Sequence, residues 1–425
     1  MSPPTVSARP VAPHGWVQGV AVVLTGLAVM VLVAALGLWA AGAADLPDGA
    51  FPRVVAATVV AAVGGSVELS GNAGALAESR AGLSVMPLSV TLAGALVVGA
   101  GFLRPLRHRA VASAAELAGW AARIAVPWLA ALIGLAFAAR QTFAVDLGSG
   151  TLSDLAGLFG AAPTVGFTTD VPLTVLFGLL WLAGVLLLAL LVACGAPLPG
   201  RLLRLQESVR PPAHAMVVLL LAVVGVGLVA SLVTAAVHGR LRAILALILL
   251  GLPNLSWLGL TVGLGATWNG RVDGPFGLPM PQVLDAILRT PDVSALNLRS
   301  LTAHDGRWWW LVAVDAVLLL AVAFRAAVRS PAVPPWRHAV QLAVALALTV
   351  LMICLTGRIS AHYGLSLLGI GDLGGSLSGE VFLEPRLWQA VGLGALWGLV
   401  TGFLGALPAR LVRRGRGTST PPPAD

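Results

Sequence analysis

The stretch Leu241–Gly265, LRAILALILLGLPNLSWLGLTVGLG, is apolar and long enough to cross a lipid bilayer, yet it carries GLPN at its centre. Pro253 lacks a backbone donor and clashes with the preceding helical turn. Asn254 adds an amide that hydrocarbon does not satisfy. Whether this segment crosses the membrane or returns to the side from which it entered decides the topology of the chain.

Composition indicates an integral membrane protein. Hydrophobic residues make up 58% of the 425 residues, charged residues make up 10%, and the mean hydropathy is +0.92. Soluble globular chains are about 45–50% apolar and about 25% charged. The apolar residues form runs of about 20, which suit membrane helices, and they lack the two-residue alternation of an outer-membrane barrel. We therefore predict an all-α polytopic helical bundle in contact with the lipid bilayer.

The basic residues and the cysteines point to no nucleic acid, metal or cofactor. All 26 basic residues are Arg, and they cluster in short loops between apolar runs, which is the topological signal of a membrane protein. Cys194 and Cys354 lie in different predicted helices without nearby His, so we predict neither a disulfide nor a metal site.

The two ends of the chain are predicted to be tails. The run Val17–Leu38 exceeds the 7–15 apolar residues usual in a signal peptide, so we interpret it as a membrane span. The alternative is a leader that is cleaved within AAGAAD (Ala40–Asp45). Residues 1–16 and 408–425 are predicted to be disordered and cytoplasmic.

Ten apolar segments follow one another along the chain. Two are doubtful as spans: residues 54–68, which are short, and residues 241–264, which contain GLPN. The other eight are predicted spans: Val17–Ala41, Leu83–Leu103, Ala121–Ala139, Pro172–Ala193, Ala213–Val237, Trp308–Val328, His338–Thr356 and Leu387–Leu407.

The distribution of Arg favours eight spans over ten. If both doubtful segments cross, the two faces hold 14 and 12 Arg. If both re-enter, one face holds 15 of the 26 Arg, mostly in short loops, and both termini share that face. Since short cytoplasmic loops are enriched in Arg, we predict eight spans with both termini cytoplasmic in a plasma membrane. GLPN is then predicted to be the turn of a re-entrant hairpin, the alternative being an ordinary span kinked at Pro253.

The two halves of the chain share one plan, which predicts a parallel internal duplication. Residues 17–200 would form the first repeat and residues 201–407 the second. Short echoes occur in the same order, for example RHRAV (Arg107–Val111) and WRHAV (Trp336–Val340). Paired halves with interrupted segments at matching positions are typical of transporters that bind their substrate at the repeat interface.

Asp315 is the one acidic residue well inside one of the eight predicted spans. An intramembrane carboxylate is costly and marks a candidate functional site, here for a proton or a cation. The alternative is an Asp that holds two helices together through a hydrogen bond.

Polar residues also cluster on the two doubtful segments. If both segments meet in one cavity, the cavity would be lined by Glu68, Asn72, Glu78, Arg80, Asn254 and Ser256. The alternative is that the first four belong to an external loop. Asp154 and Asp372 lie in Gly-rich outer loops, where they would cap short helices.

Enzyme motifs are absent from the sequence. We find no HExxH, no GxSxG nucleophile elbow and no P-loop GxxxxGK[ST]. We therefore expect no catalytic residues and no cofactor.

Several blocks of the chain resemble the streptophobe family, which comprises hydrophobic multi-pass membrane proteins of actinomycete bacteria. The blocks are GLWAAGAADLPDGAFPRVVAA (Gly37–Ala57), PLSVTLAGALVVG (Pro87–Gly99), DVPLTVLFGLLWLAG (Asp170–Gly184), GLPNLSWLGLTVGLGATW (Gly251–Trp268), GPFGLPMP (Gly274–Pro281) and RISAHYGLSLLGIGDLGG (Arg358–Gly375). The resemblance implies a membrane protein and no particular activity.

The sequence therefore predicts a permease or channel-like protein for a small solute or ion. The alternative is a non-catalytic scaffold or subunit of a larger membrane complex. Its partner would be another membrane protein or a second copy of the chain.

Overall fold

The computed structural model describes residues 15–46, 49–72, 77–108, 114–144, 164–193, 200–272, 286–289, 293–330, 333–367 and 379–416. The helices are α1 (Trp16–Ala40), α2 (Ala50–Ala62), α3 (Leu88–Leu103), α4 (Ala114–Ala138), α5 (Val171–Val192), α6 (Gly200–His238), α7 (Leu241–Gly263), α8 (Leu298–His304), α9 (Trp310–Arg329), α10 (Pro335–Thr356) and α11 (Leu387–Arg416). The strands are β1 (Val67–Asn72), β2 (Ala77–Ser84), β3 (Gln141–Ala144), β4 (Thr164–Thr169), β5 (Trp268–Val272), β6 (Ser294–Leu296), β7 (Ile359–Leu367) and β8 (Gly379–Pro385).

The chain is a helical membrane bundle, as predicted. Within the described ranges, eight helices are long and apolar enough to cross a membrane: α1, α4, α5, α6, α7, α9, α10 and α11. This set differs from the predicted spans in one pair, because it contains α7 and lacks the 16-residue α3. The predicted span Leu83–Leu103 is too long, since its first two residues belong to β2 and its helix starts at Leu88.

One end of the bundle carries the strands, and we call it the sheet end; the opposite Arg-rich end carries the turns between α3 and α4 and between α9 and α10. The path of the chain shows that α3 connects the two ends, since β2 precedes it and Arg104 follows it. Among the described helices, eight make such a connection: α1, α3, α4, α5, α6, α9, α10 and α11. Both ends of the described chain therefore lie at the Arg-rich end.

Helix α7 begins and ends at the sheet end. Near its start, the guanidinium of Arg242 lies over the ring of Trp39 at the end of α1, 6.0 Å from the ring centroid. Near its middle, Asn254 contacts the residues that lead into α3. Its last residue is followed a few residues later by β5. Although α7 is long enough to cross, its contacts therefore indicate a re-entrant path.

The prediction that GLPN forms a turn at membrane depth is wrong. The helical backbone continues through Pro253, and α7 is a single helix of 23 residues. The Ser89 hydroxyl of α3 donates a hydrogen bond to the Ile248 carbonyl, with an O···O distance of 2.8 Å. This contact lies one residue before Leu249, the residue whose carbonyl loses its helical donor at Pro253. The turn lies at the end of α7 instead.

The eight strands of the described ranges form one antiparallel sheet, which the apolar pattern of the sequence did not predict. The strand order is β3-β4-β1-β2-β7-β8-β5-β6. The first four strands come from the first half of the chain and the last four from the second half. In chain order, β1 to β4 correspond to β5 to β8. Within each set the strands lie in the order third, fourth, first, second, and the pair β2–β7 joins the two sets.

The helices repeat in the same way. Each half runs through a connecting helix, a re-entrant helix, two strands, two connecting helices, two strands and a final connecting helix. The second half adds α8 between β6 and α9. This order agrees with a parallel duplication, while the bounds at residues 17, 200 and 407 stay predictions.

Each half has its own hydrophobic core. Met30, Trp120 and Trp128 lie in the first core, and Leu219, Leu319 and Leu346 lie in the second. Helix α7 contributes to both, because Leu250 packs against the first core whereas Trp257 and Leu260 are buried in the second. The re-entrant helix of the second half therefore joins the two halves.

Helices α10 and α11 pack with their backbones in close contact. Gly394, Gly398 and Gly402 recur every four residues on α11 and face α10. A Cβ atom on Gly398 would lie 2.7 Å from the Ala343 Cα and from the Leu342 carbonyl oxygen. In lipid, where the hydrophobic effect does not drive helices together, small residues allow the close packing that holds them.

We expect Gly398→Ala to lower the free energy of unfolding by about 1–3 kcal/mol, because the added methyl group must push two backbones apart. The matched control is Gly392→Ala on the same helix, where no atom lies within 4 Å of the added Cβ. The control should shift stability by less than about 1 kcal/mol, toward higher stability, since Ala favours helix over Gly. Denaturant titration in detergent measures both, and equal effects would contradict the packing argument.

The re-entrant path of α7 is testable with single cysteines in a Cys194→Ser/Cys354→Ala background. His238→Cys, before α7, and Ala303→Cys, after it, should react with a membrane-impermeant thiol reagent from the same side, because both exposed positions lie at the sheet end. Ala115→Cys, at the start of α4, should react from the opposite side. Opposite accessibility of His238→Cys and Ala303→Cys would mean that α7 crosses the membrane.

Candidate functional site at the end of the re-entrant helix

Asp315 lies in the second turn of α9 and is buried, with 3% of its surface exposed. It stands five residues after Trp310, which is about 8 Å along the helix from the sheet end. Its Oδ2 atom has no hydrogen-bond partner among the residues that the structure describes. The structure thus places the predicted intramembrane carboxylate in packed surroundings. An Asp that holds two helices together through a hydrogen bond needs a partner, and this oxygen has none in the described structure.

The end of α7 packs directly against Asp315. A Cβ atom on Gly263, the last residue of α7, would collide with the Asp315 Oδ2. Gly263 is therefore required for the carboxyl group to reach the backbone of the re-entrant helix. The sequence contains no pattern that connects these two residues, since they lie 52 positions apart.

The end of α7 is fixed by its own backbone and by two indole rings. Gly265 has a φ of 96°, and the amides of Gly265 and Ala266 donate to the carbonyls of Val262 and Thr261. This is the pair of bonds of a Schellman motif, which needs the left-handed conformation that Gly adopts without strain.

Two tryptophans complete the end of α7. The Trp397 indole N–H donates to the Leu264 carbonyl at 3.1 Å, and the Trp268 indole N–H donates to the Thr261 hydroxyl at 3.0 Å. Neither Trp397 nor Trp268 stands out in the sequence, because the contacts that fix their roles depend on the folded packing around the end of α7. A rigid helix end is therefore presented to Asp315.

A second buried oxygen without a partner lies along α7. The Ser256 Oγ has no hydrogen-bond partner in the described structure, and it packs against Gly227 of α6. Ser256 and Gly263 are seven residues apart, so they lie on the same face of α7 two turns from each other. Two unsatisfied oxygens therefore follow one face of the re-entrant helix, over about 10 Å.

The arrangement suits a proton or a small cation. The C-terminal end of a helix carries a partial negative charge, which disfavours a second negative charge beside it. A carboxylate at this position, with one buried oxygen that has no hydrogen-bond donor in the described structure, is stabilised when it is protonated or when it binds a cation. No group of three His, Cys, Asp or Glu side chains is placed to hold a metal ion in the ranges that the structure describes.

Asn254 has a structural role that its sequence context did not reveal. Its Oδ1 accepts from the Leu88 amide at 3.0 Å, and its Nδ2 donates to the Met86 carbonyl at 2.8 Å. The side chain thus satisfies backbone groups at the start of α3, which has no cap of its own from Pro87. The Asn254 side-chain amide, which lipid would leave without hydrogen-bond partners, therefore finds both partners in the backbone of the protein.

The other predicted cavity residues lie in the sheet. Glu68 and Asn72 are in β1, and Arg80 and Glu78 are in β2, with Asn72 opposite Glu78 and Glu68 opposite Gly82. Glu68 is exposed. The structure therefore places the backbone of this group on the β1–β2 hairpin at the sheet end, and its external location stays a prediction. Asp154 and Asp372 lie outside the described residues.

Comparison with known proteins adds no relative. No family model matches the chain, no curated protein matches it, and no solved structure matches it. The resemblance to the streptophobe family accordingly stays a prediction.

We expect Asn254→Ala to lower the free energy of unfolding by about 1–3 kcal/mol, because the Leu88 amide and the Met86 carbonyl lose their partner where water does not replace it. The control is Thr25→Ala, since the Thr25 hydroxyl is exposed and bonds only to its own helix. Thermal unfolding in detergent distinguishes the two variants. A Thr25→Ala effect as large as that of Asn254→Ala would refute the bridging role.

Proposed function

We propose that this multi-pass membrane protein is a permease for a small solute or ion, and that Asp315 binds and releases a proton or a small cation during transport. The observation that carries the proposal is the buried Asp315 Oδ2, which has no partner in the described structure and faces the end of a re-entrant helix. Helix ends inside a membrane, at the boundary of repeated halves, are common places for coupling ions in secondary transporters.

The position of α7 supports this proposal. It packs on α1 and α3 of the first half and on α6 and α9 of the second, so a change in its position would alter contacts in both halves. The unsatisfied Ser256 Oγ lies on the face of α7 that leads to Gly263. A solute or ion that moves along this face would meet two polar atoms in turn, the Ser256 Oγ and the Asp315 Oδ2.

The orientation follows from the charges. Arg104, Arg325, Arg329 and Arg337 lie at the Arg-rich end, in or beside short turns. Because short cytoplasmic loops are enriched in Arg, we place this end in the cytoplasm and the sheet on the outer side of a plasma membrane.

The full chain, reconstituted in liposomes, tests the proposal through ion flux. With a membrane potential imposed, proton entry is followed with an entrapped pH dye, and sodium entry with a sodium dye. We expect wild-type protein to pass one of these ions, and Asp315→Asn to lower its rate to that of protein-free liposomes, because the variant keeps the shape of the side chain but neither ionises nor binds a cation as strongly.

The matched control is Glu384→Gln, which neutralises an exposed carboxylate on β8 and should leave the flux unchanged. Equal flux in wild-type and Asp315→Asn liposomes would refute the role of Asp315. Wild-type protein that passes neither ion and co-purifies with a stoichiometric membrane partner would favour the scaffold instead.

A further inference from the structure

A cavity at the Arg-rich end has the size and lining of a phosphate-bearing headgroup site. Its volume is about 220 Å³, below the roughly 300–1,000 Å³ of pockets for drug-sized ligands. It lies between the third and fourth turns of α6 and the α9–α10 turn. Its lining residues are Ser208, Pro211, Ser330, Val333, Pro334, Arg337 and Gln341.

The lining divides into polar and apolar parts. Arg337, Gln341 and Ser330 supply groups that bind phosphate oxygens, and no lining residue is acidic. Pro211, Val333 and Pro334 supply apolar surface, which suits the glycerol and the first carbons of an acyl chain. A cavity with both kinds of surface matches an amphiphile better than it matches a fully polar solute.

Additional positive charge lies next to the cavity. Arg210 directly precedes Pro211, and Arg325 and Arg329 occupy the last turns of α9. All three lie close enough for their charges to act on the ring of His214. The Arg337 guanidinium lies over the Trp336 ring, 5.2 Å from its centroid, which orients it at the interface. Basic pockets between membrane helices at the cytoplasmic side bind anionic lipid headgroups.

We propose that this cavity binds the phosphate group of an anionic phospholipid such as phosphatidylglycerol. Inorganic phosphate offers the same chemistry in soluble form. The site is independent of Asp315 and of ion transport, since it lies at the opposite end of the bundle. It would secure the α9–α10 turn to the start of α6 through a lipid, and thereby support the second half of the bundle.

Native mass spectrometry of the full chain in detergent, titrated with anionic phosphatidylglycerol or with zwitterionic phosphatidylcholine, tests this site. We expect saturable binding of phosphatidylglycerol, and Arg337→Gln should weaken it about fivefold, the equivalent of about 1 kcal/mol for one Arg. Arg104→Gln is the matched control: it removes one exposed charge at the same end, following α3, and does not line the cavity. It should leave the affinity for phosphatidylglycerol unchanged.

A second variant separates the cavity from its charge. Val333→Trp fills the space and keeps every Arg, and it should weaken phosphatidylglycerol binding at least as much as Arg337→Gln does. Competition by millimolar inorganic phosphate would identify a soluble phosphate as an equal ligand, whereas absence of competition identifies the lipid. Equal losses in Arg337→Gln and Arg104→Gln, or unchanged binding in Val333→Trp, would overturn the proposal in favour of general attraction to the charged surface.

Discussion

The backbone of a membrane protein must satisfy its hydrogen bonds without water, and the architecture of this chain depends on how that requirement is met at α7. A helix that turns back inside the membrane exposes carbonyl groups at its end and cannot rely on solvent to bond them. Here the Schellman bonds around Gly265 and the indole of Trp397 satisfy the last turn. Asn254 joins the middle of the same helix to the start of α3. Because these contacts come from both halves, α7 holds the halves together.

The sheet connects the halves a second time. Strands β2 and β7 pair along eight residues of each strand, from Ala77 opposite Leu367 to Ser84 opposite Ser360. The four-stranded units follow one another in the same order. The strand order in the sheet therefore agrees with the order of helices along the chain, as a parallel duplication would predict.

Two buried oxygens are exceptions to this satisfied hydrogen bonding. Buried polar atoms are nearly always hydrogen-bonded, and a carboxyl group is the costlier exception. The Ser256 Oγ lies on α7 and the Asp315 Oδ2, from α9, lies against the end of α7, the helix that contacts both halves. The position of two unsatisfied oxygens along the re-entrant helix between the halves is the physical reason why we propose transport through this region.

The sequence alone determined the membrane class and the positions of most helices, and it predicted eight crossings, because hydropathy and Arg distribution act locally and need no knowledge of packing. It also identified Asp315, since a single acid in an apolar run is conspicuous. It did not determine where α7 turns: Pro253 and Asn254 indicate a break, but contacts from α3 make a continuous helix stable there. The strands were missed because they are stabilised by pairing between distant segments, which local sequence does not show. Only the tertiary structure placed Gly263 against Asp315, because that approach depends on the packing of two helices whose contact residues carry no joint signal in the sequence.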